Sequence, residues 1–234
     1  MSKHLQRELE SLRGQLVGQF TVVEQMIQMS IRALVERNVD FAERVVDNDK
    51  IVDVTDIKIE EECLKLLALH QPVAGDMRWL ITVVKVNGEL ERMADTACNI
   101  AERAKAMASF PEFAVPETMN EMVDATVKMV RRSLDAFVTS DAKMAVEVIR
   151  MDDSIDALNR KIIEQLQELM KEKHDLIEPA MHCFSASRHL ERIGDLAENL
   201  AEETIYLVDG SIVRHQHGLI GDHGRPAGSN HIGT

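Results

Sequence analysis

The chain has 234 residues, with 27 Lys and Arg against 40 Asp and Glu and a formal net charge of −13 at pH 7. That balance argues against a nucleic-acid binder, whose phosphate contacts need a basic footprint, and against an electrostatic hold on anionic lipid. Hydrophobic residues at 45% exclude wholesale disorder, while few aromatics (3%), 13 Met, 11 Gly and 5 Pro suit long helices better than a sandwich or barrel.

Cys63, Cys98 and Cys183 are odd in number and far apart, with no C-x-x-C spacing. A disulfide framework or zinc knuckle is therefore not expected, and a reducing compartment is. The first residues lack the apolar centre of a signal peptide, and no uncharged apolar run approaches the roughly 20 residues of a membrane span. A soluble, cytoplasmic protein is the expectation.

In chain order, helical periodicity predicts helices over residues 5–36, 41–69 and 76–108. Gln71-Pro72-Val73-Ala74-Gly75 separates the second from the third. Residues 110–116 carry Pro111 and Pro116 and read as a linker, since proline interrupts helix and favours extended backbone. Periodicity resumes over 117–138, 142–172 and 179–208, with Thr139-Ser140-Asp141 as a turn and N-cap. The fold class expected is all-α: six long helices in two antiparallel three-helix bundles, residues 1–109 and 117–209. Residues 210–234, rich in Gly and His, read as a disordered tail with at most a weak histidine metal role.

The halves are copies. Leu90-Glu91-Arg92-Met93-Ala94-Asp95 is answered by Leu190-Glu191-Arg192-Ile193-Gly194-Asp195, and Asn99-Ile100-Ala101-Glu102 by Asn199-Leu200-Ala201-Glu202. The offset is 100 residues (Glu91 to Glu191). Upstream, Asp49 to Asp53 matches Asp152 to Asp156 at an offset of 103 (Asp49 to Asp152), so the second half is three residues shorter in its connection. A repeat this long is a tandem bundle rather than a solenoid unit.

At about 100° per residue, Glu91, Asp95, Asn99 and Glu102 fall within roughly 80° of one another, beside the packing face. Asp49, Asp53, Asp56 and Glu60 form a second stripe one helix earlier. Glu191, Asp195, Asn199 and Glu202, with Asp152, Asp156 and Asn159, repeat both stripes. A solvated helix face is the plain reading of such a charge run. Solvated faces interleave lysines, however, because like charges at i, i+4 repel by a few tenths of a kcal/mol. Glu91 over Asp95 and Glu191 over Asp195 break that habit twice, with Arg92 and Arg192 giving partial relief. Oxygen-only ligands on facing helices suit a hard cation such as Mg, Ca, Mn or Fe, and that is the favoured reading over a polar seam. A di-iron oxidase is disfavoured, since no Glu is followed by His three residues later and His189 turns to another face. There is no Gly-rich phosphate loop, G-x-S-x-G or H-E-x-x-H motif, so no enzyme is expected.

Gln71-Pro72-Val73-Ala74-Gly75-Asp76-Met77-Arg78 and the two repeated L-E-R-x-x-D motifs with Asn99 and Asn199 resemble the PhoU family over residues 1–209. The resemblance implies two homologous three-helix bundles with divalent or trivalent metal ions (Mg, Mn, Fe or Zn) on paired acidic motifs. These correspond to Glu91 with Asp95, Glu191 with Asp195, Asp49 with Asp53, and Asp152 with Asp156. It also implies a non-enzymatic negative regulator of phosphate uptake and the phosphate-starvation response. The partners implied are the ATPase subunit of a phosphate ABC transporter and a sensor histidine kinase. A homodimer is the expected assembly, reaching the membrane only through its partners. The sequence departs from strict repetition where Ala94 answers Gly194, Cys98 answers Glu198 and Glu60 answers Ile163, so the two sites need not be equivalent. A protein buffering metal or phosphate without signalling partners is the alternative function.

Overall fold

The computed structural model describes residues 3–110 and 113–210. Its six helices are α1 (Lys3–Glu36), α2 (Val39–His70), α3 (Ala74–Met107), α4 (Glu117–Thr139), α5 (Ala142–Glu172) and α6 (Ile177–Asp209), with one 3₁₀ turn at His174–Leu176. The expected all-α architecture is borne out, and among the described residues there is no strand. The tail read over 210–234 lies, after Gly210, outside the described residues, as do Pro111 and Glu112 of the expected linker.

Helices α1, α2 and α3 pack on one another, as do α4, α5 and α6. The α3–α6 contact between the bundles is as extensive as any within them, while α1 and α4 meet only lightly. One hydrophobic core runs through both bundles. The helices α3 and α6 lie antiparallel: Arg78 at the start of α3 donates to the carbonyl of Leu207 at the end of α6 (3.3 Å), and Lys85 pairs with the buried Glu203 at 3.0 Å. Leu90, Met93, Ala97 and Ile100 of α3, and Leu190, Ile193, Ala197 and Leu200 of α6, are fully buried. Each larger side chain of this set contributes about 1.5–3 kcal/mol on burial, so the paired central helices dominate the packing.

The connections show why the helices start and stop where they do. Arg37 (φ 53°) and Ser140 (φ 53°) end α1 and α4 in the left-handed region, and the next residue in each case is a cap. The side chain of Asn38 accepts from the amides of Asp40 and Phe41, and that of Asp141 from Lys143 and Met144. The cap places the start of α2 two residues before the expected Phe41. Likewise α6 begins at Ile177 rather than at Pro179, because a first-turn proline removes only an amide that the helix leaves unpaired anyway. Between the bundles, Phe113 is fully buried and Arg37 donates to its carbonyl oxygen, which ties the connection to the end of α1. Gly210 closes α6 at φ 74°, and a Cβ there would stand 2.9 Å from the Arg78 guanidinium. Glycine thus serves both the left-handed turn and the close approach of Arg78.

The matched caps give a test of the repeat. Asn38→Ala and Asp141→Ala should each lower stability by about 1 kcal/mol, read as a shift of the urea midpoint with an unchanged slope.

Candidate functional site

The acidic stripes border the buried faces of α3 and α6 and face the neighbouring helices α2 and α5. In the first half the structure brings Asp49 and Asp53 of α2 into electrostatic contact with Glu91 and Asp95 of α3. Burial, then Asp53 and Asp95, push the Asp49 carboxyl above its ordinary range, against a hydrogen bond from Cys98. Burial, Asp95, Asp56 and Asp53 raise Glu91, with Arg92 opposing. Asn99 turns back on its own helix, donating from Nδ2 to the Asp95 carbonyl at 2.9 Å.

The second half repeats the arrangement more tightly. Burial, then Asp195, Asp156, Glu191 and Asp153, push Asp152 from 3.8 up to about 6. Asp195 and Glu191 are also raised, each by burial first, then by Asp156 and Asp195 respectively. Arg188, 2.7 Å from Glu191, and Arg160, 3.6 Å from Asp156, supply partial compensation from the exposed side. Asn199 lies on α6, half-buried, one turn beyond Asp195.

Gly194 explains the difference between the halves. A Cβ at that position would meet Ile155 Cδ1 at 3.2 Å and Asp152 Oδ1 at 3.3 Å. The missing methyl lets α5 settle close to α6 and carries the Asp152 carboxylate inward, where Oδ1 is buried with no hydrogen-bond partner. Ala94 fills the equivalent space in the first half.

Sequence reasoning missed Asn87. This buried α3 residue donates from Nδ2 to Asp56 Oδ1 (2.6 Å) and to the Asp56 carbonyl (3.0 Å), holding α2 against α3 one turn ahead of Glu91. Its only signal was an amide residue interrupting an otherwise apolar face. The counterparts of this pair are Asn159 and Ser187, and there Asn159 Oδ1 is left without a partner. Burial and the Arg103 and Arg192 guanidinium groups lower the pKa of His189, with Glu102 of the first stripe opposing.

Chemically, the donor set is oxygen-rich, mutually repelling and partly desolvated, with one orphaned carboxylate oxygen. These features fit a hard cation. As the side chains stand, no three His, Cys, Asp or Glu groups among the described residues are gathered into a ready-made metal cage. The cage is therefore incomplete without side-chain adjustment.

The tandem helical bundle with an acidic seam on each half defines a class of duplicated all-α proteins without a recognisable catalytic motif. The PhoU domain model matches it twice, at residues 18–104 and 119–204, and the chain belongs to the PhoU family. It is 38% identical over 211 residues to the phosphate-specific transport system accessory protein PhoU homolog of Aquifex aeolicus, covering 90% of this chain and 96% of that one. The crystal structure of PhoU from Pseudomonas aeruginosa superposes with a TM-score of 0.83 at 33% identity, covering 88% of this chain and 99% of that one. The phosphate transport system regulatory protein PhoU from Streptococcus pneumoniae also gives 0.83, at 26% identity, with 89% and 99% covered. Among the described residues, no helix is long and apolar enough to cross a membrane.

Asp152 yields a pH-dependent prediction. Its folded-state pKa lies above the unfolded value, so ionisation opposes folding: the stability is full below about pH 4 and is lost as pH rises through about 6. Allowing for solvent screening of a half-exposed group, metal-free Asp152→Asn should be more stable than wild type at pH 8 by about 1–2 kcal/mol. The gain should vanish near pH 4 in the same denaturation series.

Proposed function

We propose that this protein restrains phosphate uptake and the phosphate-starvation response when phosphate is plentiful. It does so as a non-catalytic adaptor between the ATPase subunit of a phosphate ABC transporter and a sensor histidine kinase. The observation that carries the reading is the double PhoU match laid over two copies of one acidic motif. The relatives' names, accessory and regulatory proteins of phosphate transport, support the same role. The adaptor works in the cytoplasm and reaches the membrane through its partners.

Asp49, Asp53, Glu91 and Asp95, and in the second half Asp152, Asp156, Glu191 and Asp195, are the residues that would hold metal ions. Asn99 and Asn199 stand at the margins of the two sets. A bound hard cation would supply positive potential to a chain whose net charge of −13 otherwise repels phosphate and acidic partners. The carboxylates' own task is to stay ionised and face one another, which the packing of α2 on α3 and α5 on α6 imposes. Gly194 sets how deeply Asp152 sits and so makes the second site the drier of the two.

Two experiments test this reading. Deleting the gene should raise phosphate accumulation and starvation-reporter expression in phosphate-rich medium, and an unchanged strain would contradict the regulatory role. Elemental analysis of protein purified without chelator should find less metal in the Asp95→Asn, Asp195→Asn double variant than in wild type, with helical circular dichroism intact. Equal metal in the two would reduce the stripes to polar seams. Many ions per chain, with neither ATPase nor kinase co-purifying, would favour a buffering protein instead.

A further inference from the structure

The outward face of α2 carries an apolar feature that neither the core nor the acidic seam uses. Val54, Ile57 and Leu64 are 51%, 56% and 57% exposed, although each is a large aliphatic side chain. Scattered exposed apolar residues need no explanation, so the pattern matters more than the exposure. Residues 43, 47, 50, 54, 57, 61, 64 and 68 follow the alternating four-three spacing of a coiled-coil seam, and all eight are exposed. Its inner positions run Lys50, Val54, Ile57, Glu61, Leu64.

The duplication supplies an internal control. At the 103-residue offset the same seam on α5 reads Arg150, Asp153, Ala157, Arg160, Glu164, Gln167, Lys171. These residues are also exposed, and they form an ordinary solvated face. The two helices hold equivalent places in their bundles, so packing within the chain demands nothing apolar on the outside of α2. The aliphatic residues there answer to something outside the chain.

The charge pattern says what that is. All three lysines of α2 (Lys50, Lys58 and Lys65) point to this outer side, so the face carries both signs although the whole chain stands at −13. Read backwards against itself about a point between residues 55 and 56, the seam is self-complementary. Val54 meets Ile57 of the second copy, Lys50 meets Glu61 of the second copy, and Asp47 meets Leu64 of the second copy, one residue short of Lys65. Each contact then occurs twice, as a two-fold axis requires. The α5 seam places Ala157 against Arg160 in the same register and has no apolar centre.

We propose that two copies of this chain associate through an antiparallel α2–α2 pair, centred on Val54 and Ile57 and flanked by reciprocal Lys50–Glu61 ion pairs. This gives the expected homodimer a face and a register, and it stands whether or not the stripes bind metal. The face lies beside the acidic seam rather than over it, so pairing leaves both carboxylate sets open.

Sedimentation of the full chain across a dilution series tests the pairing. Wild type should pass from monomer to dimer with concentration. Ile57→Glu should weaken association at least roughly tenfold, since it sets a charge in the small apolar centre, while Arg160→Glu on α5 should leave it unchanged. Lys50→Glu and Glu61→Lys should each weaken the dimer, and the Lys50→Glu, Glu61→Lys double variant should restore it, because both ion pairs are then rebuilt with reversed sign. All these positions are exposed, so circular dichroism and thermal midpoints should stay close to wild type. Wild type that remains monomeric throughout would overturn the proposal, as would a dimer indifferent to Ile57→Glu. Failure of the double variant to recover would overturn the register. A monomeric chain whose binding to the transporter ATPase is lost in Ile57→Glu would give the face to that partner and overturn the pairing of copies.

Discussion

Everything in this molecule depends on the antiparallel packing of α3 on α6. Each turn of these helices that commits Leu90, Met93 or Ile100, or their counterparts Leu190, Ile193 and Leu200, to the core also fixes where the neighbouring carboxylates lie. At 3.6 residues per turn, a residue next to a buried position cannot retreat to the far side of the helix. The magnitudes show which effect wins. Burial of one large aliphatic side chain is worth about 1.5–3 kcal/mol, whereas an exposed like-charge pair opposes folding by only about 0.2–0.5 kcal/mol. The core therefore holds together a set of carboxylates that would separate if the helices were free. The raised pKa values of Asp49, Glu91, Asp152, Glu191 and Asp195 are the electrostatic mark of that constraint, together with partial loss of water.

Duplication has preserved the scaffold and let the two sites drift. Gly194 opens room that Ala94 fills, and Asp152 sinks deeper than Asp49 as a result. Conversely the Asp56–Asn87 clasp of the first half has become Asn159 and Ser187, which do not reproduce it. Cys98, half-buried against Asp49 and the Val45 carbonyl, stands where the second half has Glu198, and burial with Asp49 pushes its thiol up to about 12. It is held as a neutral thiol. One site is thus clasped and wetter, the other drier and unclasped, so a cation or partner carboxylate would meet two different environments on one chain.

Much of this was legible in the sequence, for identifiable reasons. Long helices announce themselves through sustained 3.6-residue periodicity, and the repeated L-E-R-x-x-D motif marked the carboxylates of α3 and α6 without structural help. The boundary at Asn38 was hidden because the left-handed turn that ends α1 falls on Arg37, a residue type with no preference for it. Pro179 concealed the true start of α6, since a proline in the first turn looks the same in sequence as a proline just before it. Asn87 escaped because its role depends on α2 lying within hydrogen-bond reach, which no local pattern encodes. The outer seam of α2 was the least legible feature. Val54, Ile57 and Leu64 interleave with the buried Val52, Ile59, Cys63 and Leu66, and only the packed helix shows which set faces out.

Folding holds these carboxylates together against their own repulsion, an arrangement that a bound cation would relieve. Thermal unfolding of the full chain at neutral pH, in Mg²⁺ or Mn²⁺ against sodium chloride of matched ionic strength, tests it most directly. Specific binding to the folded state raises the midpoint with ligand concentration, whereas simple screening saturates and is the same for any salt of equal ionic strength. The midpoint should climb further in the divalent cation than in matched sodium chloride. Identical midpoints in the two salts would contradict it.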